Sequence, residues 1–134
     1  MKILIVEDDP TSRMLLIRLL EDYGSCDTAI DGEEAIKAFG IALEKGERYT
    51  LICLDIMMPG LDGHATLEQF RRMEANEGVD GLDGTRVIMT TALDDSKNVL
   101  RAFRSQCEGY LVKPIDKKKL SDKLESLGLT GGEK

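Results

Sequence analysis

The 134-residue sequence is poor in the features that mark disulfide-rich, zinc-binding and membrane-spanning proteins. Its three cysteines, Cys26, Cys53 and Cys107, are an odd and widely spaced set without a Cys-x-x-Cys pair. This arrangement argues against a disulfide framework or a zinc ribbon and favours the reducing cytoplasm. No apolar run approaches the ~20 residues of a membrane span. The N-terminal MKILIVEDD is too short for the apolar core of a signal peptide.

Basic residues are outnumbered, because 18 Lys and Arg stand against 25 Asp and Glu, a formal net charge of −7. A surface with this charge repels phosphate backbones, so we expect no direct contact with nucleic acid. Cation binding, or docking to a basic partner surface, suits the charge better. The content of 42% hydrophobic and 32% charged residues is ordinary for a globular protein, and the length predicts a single domain.

Short apolar runs alternate along the chain with segments of helical spacing. Runs rich in branched residues are typical of strands buried on both faces of a parallel sheet, and they lie at 3–6, 51–54, 87–89 and 110–112, with a weaker edge-strand run at 26–30. Apolar residues repeating every three or four positions predict helices over 11–23, 33–45, 64–75, 95–106 and 117–127. This alternation predicts an α/β fold, a doubly wound five-stranded parallel sheet. Residues 76–85 predict a loop before the fourth strand.

Chemically active side chains follow four of the predicted strands: Glu7-Asp8-Asp9, Asp55, Thr90-Thr91 and Lys113-Pro114. Ligands of such sheets bind at the carboxyl ends of the strands, so we expect these residues to share one cleft. Crowded carboxylates favour a shared cation, and hard oxygen ligands with few neutral donors suit Mg²⁺. A carboxylate held beside a metal, a hydroxyl and an ammonium can attack a phosphoryl group, which here would give an acyl phosphate on Asp55.

Four motifs occur in a fixed order, namely VEDDP at 6–10, LDIMMPGLDG at 54–63, TTA at 90–92 and YLVKPI at 110–115. Together they resemble the bacterial two-component response regulator receiver domain over roughly residues 2–127. The resemblance implies a flavodoxin-like sheet with strand order 2-1-3-4-5. It also implies a stand-alone receiver over 1–127, similar to the chemotaxis-type single-domain regulators, with a short tail at 128–134 and no output domain.

The resemblance implies a role for each acidic residue of the cleft. Asp55 matches the phosphoacceptor. Asp8, Asp55 and the backbone carbonyl of Met57 match the direct Mg²⁺ ligands, and Glu7 matches the acid that acts through water.

The resemblance extends to the remaining motif residues. Lys113 and Thr91 match the groups that bind the phosphoryl, and Thr91 and Tyr110 match the switch pair. Asp9 is expected to cap the first helix, and Pro114 is expected to follow a cis peptide bond.

The implied function is a phosphorylation-activated signalling switch. A sensor histidine kinase or a phosphotransfer protein would donate to Asp55, and the domain would catalyse only its own phosphorylation and dephosphorylation. The charge would then change the surface of the predicted fourth helix, fifth strand and fifth helix. That surface would bind a downstream protein. The chain would be a monomer, or a weak dimer that associates through the same surface.

Other functions stay open at this point. The chain could be a phosphorelay intermediate, or a degenerate receiver used only for docking. It could be a magnesium-dependent phosphohydrolase with an aspartyl-phosphate intermediate, which needs a second acid at the position of Met57. A flavodoxin-like cofactor binder is disfavoured, because the acids after the first strand would repel a phosphate. His64 is expected to be an exposed loop residue without a role, Cys53 to be inert and Thr90 to be a structural hydroxyl.

Overall fold

The computed structural model describes residues 1–79, 84–92 and 107–129. Strands and helices alternate in the order β1 (Lys2–Val6), α1 (Pro10–Leu20), β2 (Ser25–Ala29), α2 (Gly32–Glu44), β3 (Leu51–Asp55), α3 (Gly63–Asn76), β4 (Arg86–Thr91), β5 (Gly109–Val112) and α4 (Lys117–Ser126). Helix α4 corresponds to the fifth predicted helix. The predicted helix over 95–106 and part of the predicted loop, 80–83, lie outside the described residues.

The five strands form one parallel sheet in the order β2-β1-β3-β4-β5, which confirms the predicted topology. The register pairs Val6 with Leu54 and Asp55 with Thr90. The ends of β1, β3 and β4 therefore lie side by side at one edge of the sheet.

Two apolar clusters cover the two faces of the sheet. Alternate residues of β1 point to opposite faces, so Leu4 and Val6 join the cluster of α2 and α3, whereas Ile3 and Ile5 join the cluster of α1 and α4. Burial on both faces explains why the central strands have no polar alternation. Among the described residues, no helix combines the length and apolar character needed to cross a bilayer.

Each described helix begins at an aspartate whose side chain accepts a hydrogen bond from the backbone N–H three residues later. The four caps are Asp9, Asp31, Asp62 and Asp116. These caps satisfy N–H groups that lack partners within the helix. The cap at Asp9 was predicted.

Backbone hydrogen bonds after α1 and α4 determine where these two helices end. Helix α1 ends at Leu20 rather than near residue 23, because the N–H of Tyr23 turns back to the carbonyl of Leu20 and the chain then pairs with Met1 through Ser25. At the other end of the chain, Gly128 and Leu129 belong to the predicted tail but close α4. Their N–H groups donate to the carbonyls of Glu125 and Leu124, and Gly128 has a φ of 75°.

Candidate functional site

Three carboxylates gather at the carboxyl ends of β1 and β3. Glu7, Asp8 and Asp55 each place one oxygen within 4.8 Å of the others. Glu7 and Asp55 are buried, whereas Asp8 is exposed to solvent. The parallel register brings the two strand ends together although they are distant in sequence, as predicted.

A single ammonium group from the end of β5 enters this cluster. Lys113 Nζ lies 2.7 Å from Glu7 Oε1 and 3.6 Å from Asp55 Oδ2. The Lys113 side chain is 21% exposed, so the contact with Glu7 is a partly buried ion pair. The other carboxylate, Asp55, is near the ammonium but is not in close contact with it.

Burial and like charge make Asp55 hard to ionise. Burial raises the pKa of Asp55 to about 7, and repulsion by Glu7 adds to the rise while attraction by Lys113 opposes it. Burial alone would lower the pKa of Lys113, but the hydrogen bond to Glu7 and the attraction of Asp55 outweigh it, so that pKa is raised. Among the described residues, the three carboxylates of the site therefore outnumber the one ammonium group that contacts them.

The donor set fits a divalent cation. The carboxylate oxygens of Glu7, Asp8 and Asp55 are hard ligands, and the exposed side of the cluster leaves room for the waters that Mg²⁺ retains. A cation there would also relieve the repulsion between Glu7 and Asp55.

The loop after β3 holds Asp55 from the other side. The N–H of Met57 donates to Asp55 Oδ1 at 3.1 Å, while the Met57 side chain is exposed. The N–H of Gly63 donates to the carbonyl of Ile56, and a Cβ at Gly63 would lie 2.6 Å from the carbonyl oxygen of Asp55. Only glycine lets α3 begin this close to the end of β3.

Both threonines at the end of β4 are buried, each about 1% exposed. The carbonyl of Thr91 accepts from the N–H of Lys113 at 2.7 Å, which ties β4 to the end of β5. Tyr110 on β5 is half-buried and packs against the apolar cluster of α2 and α3. Thr91 and Tyr110 therefore lie on the neighbouring strands β4 and β5.

The remaining predicted positions have the expected local structure. Asp9 accepts from the N–H of Ser12 at 2.8 Å, and that hydrogen bond lowers the pKa of Asp9. The Lys113–Pro114 peptide bond is cis. Cys53 is buried, and burial raises the pKa of its thiol to about 12, which agrees with an inert side chain.

The expectation for His64 is wrong. His64 is not an exposed loop residue, because it is 1% exposed and lies in the first turn of α3. The close approach of Gly63 to the end of β3 brings that turn into the interior. The helical spacing of residues 64–75 gave no sign of this approach.

A polar network at the opposite edge of the sheet was also missed. Arg71 Nη1 donates to Glu74 Oε1 at 2.9 Å and Arg71 Nη2 to Glu108 Oε1 at 2.9 Å. Glu74 accepts from the N–H of Thr85, and Glu108 accepts from the N–H of Val87. The network joins α3 to the starts of β4 and β5. Sequence spacing offered only the Arg71–Glu74 pair as a signal.

The comparisons with known proteins agree with this geometry. The family described as "Response regulator receiver domain" matches residues 3–125. The regulatory protein VanRB of Enterococcus faecalis is 34% identical over 130 residues, which are 94% of this chain and 51% of that protein. The chain therefore spans about half the length of this curated relative.

Two solved structures share the fold at more than 25% identity. One is the CheX–CheY–BeF3–Mg²⁺ complex of Borrelia burgdorferi, with a TM-score of 0.80 and 28% identity over 95% of this chain and 88% of that one. The other is the complex of the Saccharomyces cerevisiae phosphotransfer protein Ypd1 with the receiver domain of its downstream response regulator Ssk1. Its TM-score is 0.81, with 27% identity over 96% of this chain and 88% of that one.

Proposed function

The chain belongs to the response regulator receiver domain family, and from this premise we propose that it is a signalling switch that accepts a phosphoryl group on Asp55. One observation carries the proposal: a buried carboxylate at a strand end lies between two further acids and an ammonium. The sheet order and the ordered motifs support the same reading. In this proposal, the domain catalyses only its own phosphorylation and dephosphorylation, as a signalling domain does.

Mg²⁺ is the proposed cofactor. Asp8, Asp55 and the backbone carbonyl of Met57 would bind it directly, and Glu7 would hold one of its waters. When bound, the ion neutralises charge on the oxygens of the transferring phosphoryl group. The CheY structure of Borrelia burgdorferi contains Mg²⁺ with BeF3, which supports this assignment.

Asp55 is the proposed nucleophile. One of its oxygens attacks phosphorus, the bond between phosphorus and the donor nitrogen breaks, and that nitrogen keeps the electron pair. Lys113, already close to Asp55, neutralises charge on the phosphoryl oxygens, and the hydroxyl of Thr91 donates to one of them. Since attack requires the ionised carboxylate, a cation in the site also favours the reactive form of Asp55.

Thr91 and Tyr110 are the proposed switch. The new charge draws the hydroxyl of Thr91 toward the site, and Tyr110 then turns inward. The surface formed by β5 and α4 changes as a result and binds a downstream protein, while the predicted fourth helix, over 95–106, lies outside the described residues. To shift the ratio of active to inactive molecules from 1:99 to 99:1, phosphorylation must stabilise the active state over the inactive state by about 5.5 kcal/mol.

The proposed donor is a histidine kinase or a phosphotransfer protein. The Ssk1 receiver pairs with the phosphotransfer protein Ypd1, which supports this class of partner. The exposed apolar side chains of Met14, Leu15 and Met57 lie on α1 and on the loop after Asp55. An apolar cavity of about 400 Å³, lined by Leu15 and Pro114 among others, also borders Lys113. A helix carrying the phosphohistidine would dock on this face, beside the acceptor.

The phosphohydrolase alternative is disfavoured at Met57, because such an enzyme would need an acid at this position. In the structure, the backbone N–H of Met57 contacts Asp55 and its apolar side chain faces solvent. A relay role shares the acceptor chemistry and differs only in where the phosphoryl group goes next.

We propose that the receiver unit spans residues 1–127. It would act in the cytoplasm as a monomer or a weak dimer, without direct contact with nucleic acid.

The test is intact-mass measurement after incubation with acetyl phosphate and Mg²⁺. We expect one added phosphoryl group on the wild-type chain, and none in Asp55→Asn or with a chelator present. Asp22→Asn, at an exposed acid away from the site, is the matched control and keeps the adduct. An adduct on His64, or none on any residue, would refute the proposal.

A further inference from the structure

Thr90 has a buried hydroxyl that the proposed acceptor chemistry does not use. The residue is 1% exposed, and its Oγ1 has no hydrogen-bond partner among the described residues. Two other buried threonines differ in this respect, because Thr66 and Thr85 donate their hydroxyls to backbone carbonyls at 2.8 and 2.7 Å. A buried hydroxyl without a hydrogen-bond partner lowers the free energy of unfolding. Such a group therefore points to a role other than stabilising the fold.

The register places this hydroxyl beside the acceptor. Thr90 pairs with Asp55 on one side and with Leu111 on the other. Paired residues of neighbouring strands project to the same face of a sheet, so the side chains of Thr90 and Asp55 are neighbours. Lys113 follows Leu111 by two residues and reaches the same cluster of acids. Thr90 therefore lies on the same face of the sheet as the acceptor Asp55, in the paired position of the next strand.

The oxygens of Asp55 already have other contacts in the unphosphorylated chain. Oδ1 accepts from the N–H of Met57, and Oδ2 faces Lys113 at 3.6 Å. If Asp55 is phosphorylated as proposed, Lys113 would be attracted to the phosphoryl oxygens and away from Asp55 Oδ2. The Asp55 side chain could then accept from a second donor, and rotation about χ1 would turn the Thr90 hydroxyl toward it.

We propose that Thr90 donates a hydrogen bond to the phosphorylated Asp55 side chain and thereby speeds hydrolysis of the acyl phosphate. The inference rests on the proposed phosphorylation of Asp55. In hydrolysis, water attacks phosphorus, the bond from phosphorus to the Asp55 oxygen breaks, and its electron pair stays on the carboxylate. The proton of the water leaves with the phosphate or to solvent. A donor beside Asp55 stabilises the growing negative charge more in the transition state than in the ground state.

The test measures decay of the phosphorylated protein by intact mass, after excess acetyl phosphate is removed. We expect Thr90→Val to lengthen the lifetime about fivefold, the scale of one hydrogen bond that strengthens as charge develops. Thr90→Ser keeps the hydroxyl and should restore the wild-type lifetime. Thr85→Val is the matched control, because it removes a buried threonine hydroxyl at the opposite edge of the sheet.

Urea unfolding distinguishes a role of Thr90 in hydrolysis from a purely structural role. Thr90→Val should keep or raise the urea midpoint of the unphosphorylated chain, because it removes a hydroxyl without a partner, whereas Thr85→Val should lower it. An unchanged lifetime in Thr90→Val, equal changes in Thr90→Val and Thr90→Ser, or a folded Thr90→Val that takes up no phosphoryl group would overturn this inference alone. A wild-type chain that takes up no phosphoryl group would refute the proposed function as well.

Discussion

Replacing Asp55 by asparagine should stabilise the protein even though it removes the proposed acceptor. The pKa of this carboxyl rises from its ordinary 3.8 to about 7 on folding. At about 1.4 kcal/mol for each pH unit, that rise costs about 4 kcal/mol of folding free energy once the solution is above pH 7. Asparagine has the same shape and can still accept from the N–H of Met57, and the pKa of about 7 already includes the opposing attraction of Lys113. We therefore expect a net gain of about 4 kcal/mol at pH 8.

The pH dependence gives this prediction a definite sign. Folded Asp55 keeps its proton to a higher pH than unfolded Asp55, so the folded protein binds more protons between about pH 4 and pH 7. Wild-type stability should fall as the pH rises through that window, relative to Asp55→Asn. The difference between the two proteins should be near zero at pH 4 and should reach its full size above pH 7.

The assay is urea unfolding followed by far-ultraviolet circular dichroism with a chelator present, because the chain has no tryptophan to report by fluorescence. Asp22→Asn should leave the unfolding free energy within about 0.5 kcal/mol of wild type, as surface substitutions do. An Asp55→Asn protein that is less stable than wild type at pH 8, or a difference that does not depend on pH, would refute the electrostatic account of the site.

Three further predictions concern the metal, the buried network and the α3 contact. Mg²⁺ at about 100 times its dissociation constant should raise the unfolding free energy of wild type by about 2.7 kcal/mol. Thermal melts should show much less stabilisation of Asp8→Asn, and equal shifts would contradict the metal assignment. Arg71→Met should lower the unfolding free energy by about 3 kcal/mol, because it leaves Glu74 buried without its cation, while phosphoryl uptake stays normal. Gly63→Ala should cost about 2 kcal/mol in urea unfolding and slow phosphoryl uptake by displacing Asp55, and normal uptake would argue against that contact.

The sequence was sufficient to predict the sheet, for a local reason. Strands β1 and β3 are covered by helices on both faces, so nearly every residue in them must be apolar, and such runs stand out. The rule that parallel strands end at one edge then brought Glu7, Asp55 and Lys113 together without any knowledge of distances. The described helices and strands begin and end within three residues of the predicted positions, because exact boundaries depend on turns and caps.

Features that depend on contacts distant in sequence could not be predicted. His64 is buried because the first turn of α3 packs on the end of β3, and Arg71 reaches Glu108 only after β5 is placed beside β4. The absence of a hydrogen-bond partner for the Thr90 hydroxyl among the described residues also depends on the three-dimensional structure, since a pair of adjacent threonines does not indicate which one has a partner. Hydrophobic periodicity specifies the layers of such a fold, whereas polar pairing depends on their final assembly.

The close approach of Gly63 to the end of β3 makes the two sides of the acceptor site differ in how much they can rearrange. On the α3 side, even a Cβ at Gly63 would lie 2.6 Å from the carbonyl oxygen of Asp55, so there is no space for a side chain between the start of α3 and the end of β3. On the opposite side, Asp55 faces side chains of β4 and β5, which can rotate without breaking the sheet. If Asp55 is phosphorylated as proposed, we therefore expect the side chains of β4 and β5 to rearrange while α3 keeps its position.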